Sequence, residues 1–82
     1  MNTSQWGENV EILYHRFLKY PDRVQNLYFT FLFVLRAMTK AADYLEQAES
    51  DTGNNSEDLK TQSLMKQLLY SRKLQAACPL PI

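Results

Sequence analysis

The sequence predicts an all-α fold of three helices in one small domain, on three observations. Apolar residues recur three or four positions apart in three separate stretches, the spacing of one face of a helix. Pro21 and the polar segment ESDTGNNS punctuate those stretches. A chain of 82 residues has room for at most one small domain, 1–82, near the lower limit of independent stability.

The first helix is expected over residues 8–19. Val10, Leu13, Tyr14, Phe17 and Leu18 form its apolar stripe, with Gly7 and Asn9 as the entry. Tyr20-Pro21 stops it, because the residue before a proline is pushed out of the helical region. Pro21 then suits the start of a second helix, and Asp22 favours the positive end of its dipole. That helix is expected to run unbroken over 22–48, with Val24, Leu27, Tyr28, Phe31, Leu32, Leu35, Met38, Ala42 and Leu45 on its apolar face. Phe29, Phe33 and Val34 make its middle apolar nearly all round, as in a helix surrounded by other elements.

Residues 49–56 read as a loop, with Gly53 and Asn54 as its turn residues and Ser56 as the cap of the next helix. The third helix is expected over 57–74, burying Leu64, Met65, Leu68 and Leu69. The tail is expected over 75–82, and its end, Cys78-Pro79-Leu80-Pro81-Ile82, is expected to be non-helical. The third helix carries Lys60, Gln62 and Ser63 before its apolar cluster, so it covers only part of the second.

Composition excludes some functions. Nine basic and nine acidic residues cancel, which removes the electrostatic case for nucleic acid or an anionic membrane surface as the main partner. The run Leu27–Leu35 is half the length of a membrane span, which takes about 20 apolar residues. The opening MNTSQWGEN has neither the basic start nor the apolar segment of a signal peptide. The single cysteine, Cys78, has no metal-ligand spacing around it and no partner for an internal disulfide. His15 stands without a second histidine or a nucleophile pattern, so no catalytic residue is expected. Asn2-Thr3-Ser4 and Asn54-Asn55-Ser56 both match the N-glycan acceptor pattern.

Arg16 and Arg23 flank the junction of the first two helices. A helix start offers free N–H groups to an anion, and a guanidinium adds a flat, forked donor suited to phosphate. Such a pair beside an apolar aromatic wall suits a nucleotide-containing cofactor. The competing reading is two solvated surface arginines, which are commonplace.

The segments WGENVEILYHRF and PDRVQNLYFTFLFVLRAMTKAADYLE closely resemble the endoplasmic reticulum oxidoreductin family. The family's "WG-x-N … RF" appears here as Trp6-Gly7-Glu8-Asn9 and Arg16-Phe17. Its "P-x-R-(V/L)-x-N-(L/M)-Y-F" appears as Pro21 to Phe29, and its "L-R-A-(L/M)-x-K" as Leu35 to Lys40. Thr52-Gly53-Asn54 resembles its "TGN" loop. The likeness covers most of residues 6–54 and weakens through the third helix.

The resemblance implies a slice of a helical flavin-binding bundle domain, with flavin adenine dinucleotide (FAD) as cofactor and Arg16 and Arg23 as its contacts. It also implies a thiol oxidase that makes disulfides de novo and passes them to protein disulfide isomerase, with molecular oxygen as electron acceptor. The expected location is the lumenal, membrane-associated side of the endoplasmic reticulum. The family's Cys-x-x-Cys pair, its mobile cysteine pair, its Ser-x-x-His flavin contact and its flavin-facing tryptophan have no counterpart here; Trp6 belongs to the WG motif. A middle slice of such an enzyme, itself inactive, is therefore the expectation. The alternative is a small helical interaction module that buries its aromatic helix against a partner.

Overall fold

The computed structural model describes residues 1–77, so Cys78 and the rest of the tail lie outside the described residues. Among the described residues the fold is all-α, but with four helices where the sequence suggests three: α1 (Thr3–Phe17), α2 (Asp22–Phe33), α3 (Met38–Asp51) and α4 (Ser56–Ala77). Each helix packs on its neighbours in the chain, and α1 closes the ring by packing on α4.

α1 begins five residues earlier than expected. Asn2 is its cap: its side chain accepts from the Gln5 backbone N–H at 2.8 Å, while the Gln5 side chain accepts from the Asn2 backbone N–H at 3.4 Å. These reciprocal bonds form a capping box, which satisfies donors a helix start otherwise leaves free. Gly7 therefore sits inside α1 rather than at its entry. The helix ends at Phe17 and not at residue 19. Pro21 caps α2, accepting the Gln25 N–H at 2.9 Å, and the Gln25 side chain reaches back to the Phe17 carbonyl at 3.2 Å.

The expected unbroken helix over 22–48 is wrong. The chain leaves the helix at Val34, makes a turn closed by Ala37 N–H to Val34 carbonyl at 2.8 Å, and re-enters at Met38. No proline or glycine marks the break, and Ala37 caps α3 without a side-chain hydrogen bond. The physical reason is tertiary. A straight helix of that length, about 40 Å, would carry half its apolar stripe away from the rest of the chain. Folding back lets Ala41, Leu45 and Ala48 of α3 join Val24, Tyr28 and Phe31 of α2 in one core, with Leu35 buried in the turn between them. The turn also moves Phe33 outward, to 87% exposure, so the middle of the run is not apolar contact all round.

α3 continues through Asp51, which shortens the expected loop to residues 52–55. Asn55, not Ser56, caps α4: its side-chain oxygen accepts from the Asp58 N–H at 2.9 Å, and its carbonyl from the Leu59 N–H at 3.0 Å. Neither glycine adopts a positive φ. Gly53 serves instead by lacking a side chain, since a Cβ there would stand 3.3 Å from Asp58 Oδ2. α4 extends three residues past 74, to Ala77, and the stretch expected to be non-helical, 78–82, lies outside the described residues.

The core is Leu13 and Phe17 of α1, the α2–α3 residues above, and Met65, Leu68 and Leu69 of α4. Tyr14 and Leu18, on the expected stripe of the first helix, are half exposed. α4 contributes polar burial as well, with Asp58, Thr61, Gln62 and Ser71 buried. Those four hide half of its inward face from an apolar-only reading.

Two aromatic neighbours separate packing from composition. Phe31→Ala removes a fully buried ring and should cost about 3–5 kcal/mol, comparable to the whole stability of a domain this small. Phe33→Ala should stay within about 0.5 kcal/mol. Chemical denaturation of both variants checks the difference.

Candidate functional site

The α1–α2 junction is held by aromatic rings packed mostly edge to face. Phe17 lies 4.5 Å from Tyr28 and 5.4 Å from Phe29, measured between ring centroids, and Tyr14 lies 5.2 Å from Phe29. Tyr20, in the connection itself, meets Tyr28 edge-on at 4.8 Å. Its hydroxyl donates to Asp58 Oδ1 at 2.7 Å, which fixes the start of α4 against the end of α1. Behind it, Gln62 Nε2 donates to Thr52 Oγ1 at 2.8 Å, and Thr52 Oγ1 donates to the Ala48 carbonyl at 2.8 Å.

Two phenols in this network hold their protons tightly. Burial, then the bond to Asp58, pushes Tyr20 well above its ordinary value of 10.0. Burial also raises Tyr28, whose hydroxyl is near Thr52, Tyr20 and Gln62 but has no hydrogen-bond partner. A raised phenol favours the folded state below its unfolded value, and that contribution is lost as the pH rises through the folded value. Stability should therefore decline from about pH 10 upward. Tyr20→Phe should cost about 1–3 kcal/mol at neutral pH, by stripping a buried carboxylate of its donor. It should also flatten the alkaline decline. Equilibrium unfolding of both proteins across that pH range measures the two effects.

This framework positions the arginines. Arg16 stands in the last turn of α1, half-buried, and lines a cleft of about 490 Å³ between the end of α1 and the start of α4. Lys19, Tyr20, Asn55 and Thr61 share its walls. Arg23 stands in the first turn of α2, exposed, and lines a different cleft of about 550 Å³ between α2 and α3, with Lys40, Tyr44 and Asp51. The two residues sit in the turns the sequence suggested but are not brought into one cavity. Neither guanidinium has a carboxylate within 4.0 Å among the described residues. Neither fork is held by an ion pair among these residues, although Glu57 and Asp58 also line the first cleft and Asp43 and Asp51 the second. His15 is exposed and lies 4.0 Å from Glu11.

The sequence reading passed over Lys19, Asn55 and Thr61. The signal for Asn55 was its place just before a run with Glu57 and Asp58 in the first turn. Lys19 and Thr61 become neighbours only because α1 packs on α4, which no local pattern announces.

Among the described residues, no helix is long and apolar enough to cross a membrane. No solved structure matches the chain. The family profile described as "Endoplasmic Reticulum Oxidoreductin 1 (ERO1)" matches residues 1–79. The chain is 72% identical over 78 residues to endoplasmic reticulum oxidoreductin-1 of Arabidopsis thaliana, covering 95% of this chain and 17% of that protein. It is 66% identical over 79 residues to oxidoreductin-2 of the same plant, covering 96% of this chain and 17% of the relative. Endoplasmic reticulum oxidoreductin-1 of Caenorhabditis elegans is 39% identical over 69 residues, which cover 78% of this chain and 14% of that protein. The chain thus spans about a sixth of the length of its plant relatives. With its matched motifs lying along α1, the aromatic junction and the loop before α4, it belongs to the endoplasmic reticulum oxidoreductin 1 family.

Proposed function

We propose that this chain is part of a flavin-dependent thiol oxidase of the endoplasmic reticulum lumen, associated with the membrane there. The whole enzyme forms disulfides de novo, passes them to protein disulfide isomerase and uses molecular oxygen as electron acceptor. The observation that carries this reading is the pair of free guanidinium groups flanking one helix junction in a chain of the oxidoreductin family. They fit the anionic part of FAD: unpaired forked donors suit a diphosphate, and donors in separate clefts suit an elongated ligand better than a compact phosphate.

When bound, the flavin would supply the two-electron exchange between thiols and oxygen. This chain's residues bind and orient. Arg16 is the more constrained donor, because Tyr20 and Asp58 fix the wall beside it. Arg23 projects from the first turn of α2, where the helix's own free N–H groups also favour an anion. No cysteine lies among residues 1–77, so the described helices hold no thiol to donate electrons.

Arg16→Ala and Arg23→Ala, made in the full-length flavoprotein, should each weaken flavin binding by about 10- to 100-fold, the worth of one charge-assisted hydrogen bond. Flavin released per polypeptide reads this, and unchanged occupancy in both variants refutes the cofactor role. The 82-residue chain alone should show no thiol-dependent oxygen consumption in an oxygen electrode.

A further inference from the structure

We infer that Asn54 is an N-glycan acceptor, and that it is the acceptor in preference to Asn2. The inference rests on the endoplasmic reticulum location proposed above, the compartment in which such glycans are added. Both asparagines satisfy the three-residue acceptor pattern. Local structure separates them.

An acceptor must present its amide and the hydroxyl two residues on to one enzyme site. Residues two apart on a helix do not face the same way. Asn2 is the α1 cap, its side-chain oxygen is held by the Gln5 N–H at 2.8 Å, and Thr3 and Ser4 are already helical. Asn54 stands in the 52–55 connection, exposed, and its side chain makes no hydrogen bond among the described residues. Asn55, the middle residue, turns its own side chain to the Asp58 N–H and so takes the capping duty. Ser56, exposed at the first position of α4, keeps its hydroxyl free of other bonds among the described residues. Asn54 and Ser56 are thus the uncommitted pair.

In the transfer, the Asn54 side-chain nitrogen attacks C1 of the first sugar of a polyprenyl-diphosphate oligosaccharide. The C1–O bond to the diphosphate breaks, the N–C1 bond forms, the lipid diphosphate leaves and the amide proton passes to a base of the transferase. Gln62 donates to Thr52, and Asp58 accepts from Tyr20 and donates its N–H to Asn55, all without Asn54, so the bulk of a glycan there displaces no internal hydrogen bond.

The test appends a cleavable secretory signal to the full chain and expresses it in eukaryotic cells, which makes the outcome independent of the native location. Peptide N-glycosidase treatment followed by peptide mass spectrometry reads the site, since release converts the modified asparagine to aspartate. The wild type should carry a glycan at residue 54, lost in N54Q and S56A, and retained in N2Q and in S56T, which keeps a hydroxyl. Circular dichroism should show equal helicity in the wild type, N54Q, S56A and S56T, because none of these changes removes the Asn55 cap; N2Q gives up the α1 cap and should lose a little helicity at that end while keeping its glycan. A wild-type chain left unmodified in the lumen, or a glycan that survives N54Q, overturns the assignment. Subcellular fractionation of the native protein separately tests the location itself.

Discussion

Tyr20 joins three of the four helices, and the rest of the arrangement depends on it. Its ring packs edge-on against Tyr28 of α2, its backbone N–H closes the end of α1 on the Phe17 carbonyl, and its hydroxyl holds Asp58 of α4. The connection between α1 and α2 is only four residues long, so these contacts fix where both helices point. Arg16 and Arg23 lie on either side of that connection. The turn from which each arginine projects is thereby tied to a part-buried phenol–carboxylate bond.

A second constraint comes from the apolar run at the centre of the chain. A helix apolar on every side needs cover on every side, and a chain this short supplies cover for one face. The turn at 34–37 resolves the conflict by making the sequence cover itself, α3 against α2. What remains uncovered collects in a few large side chains, Tyr14, Leu18, Phe33 and Tyr70 among them. In a polypeptide several times longer, those side chains have further chain to meet.

The helical class, the break at Pro21 and the turns that hold Arg16 and Arg23 were legible because each rests on local chemistry: a spacing, a ring without N–H, a position along a helix. The capping box of Asn2 and Gln5 is also written locally, but it lies two turns ahead of the apolar stripe that begins at Val10. The break between α2 and α3 was not legible. Residues 34–37, Val-Leu-Arg-Ala, are all compatible with a helix, and only the benefit of packing Ala41, Leu45 and Ala48 inward decides against continuing one. The polar half of the α4 interface escaped for a related reason: Asp58 and Gln62 are buried because Tyr20 and Thr52 await them. That the two arginines open onto separate clefts depends on which helix lies beside each, a property of the assembled ring alone.

The closure of that ring by α1 and α4 has an entropic meaning. The α2–α3 pair joins neighbours in sequence across a short turn, whereas the α1–α4 seam joins segments some forty residues apart, as in the Tyr20–Asp58 bond. Contacts between distant segments carry the entropy of closing the longer loop, which contacts between neighbours in sequence do not. The Arg16 cleft lies along this seam. Loop-closure entropy thus weighs on these walls more than on the inner pair of helices, and a ligand gripping both sides would act as the clasp of the ring.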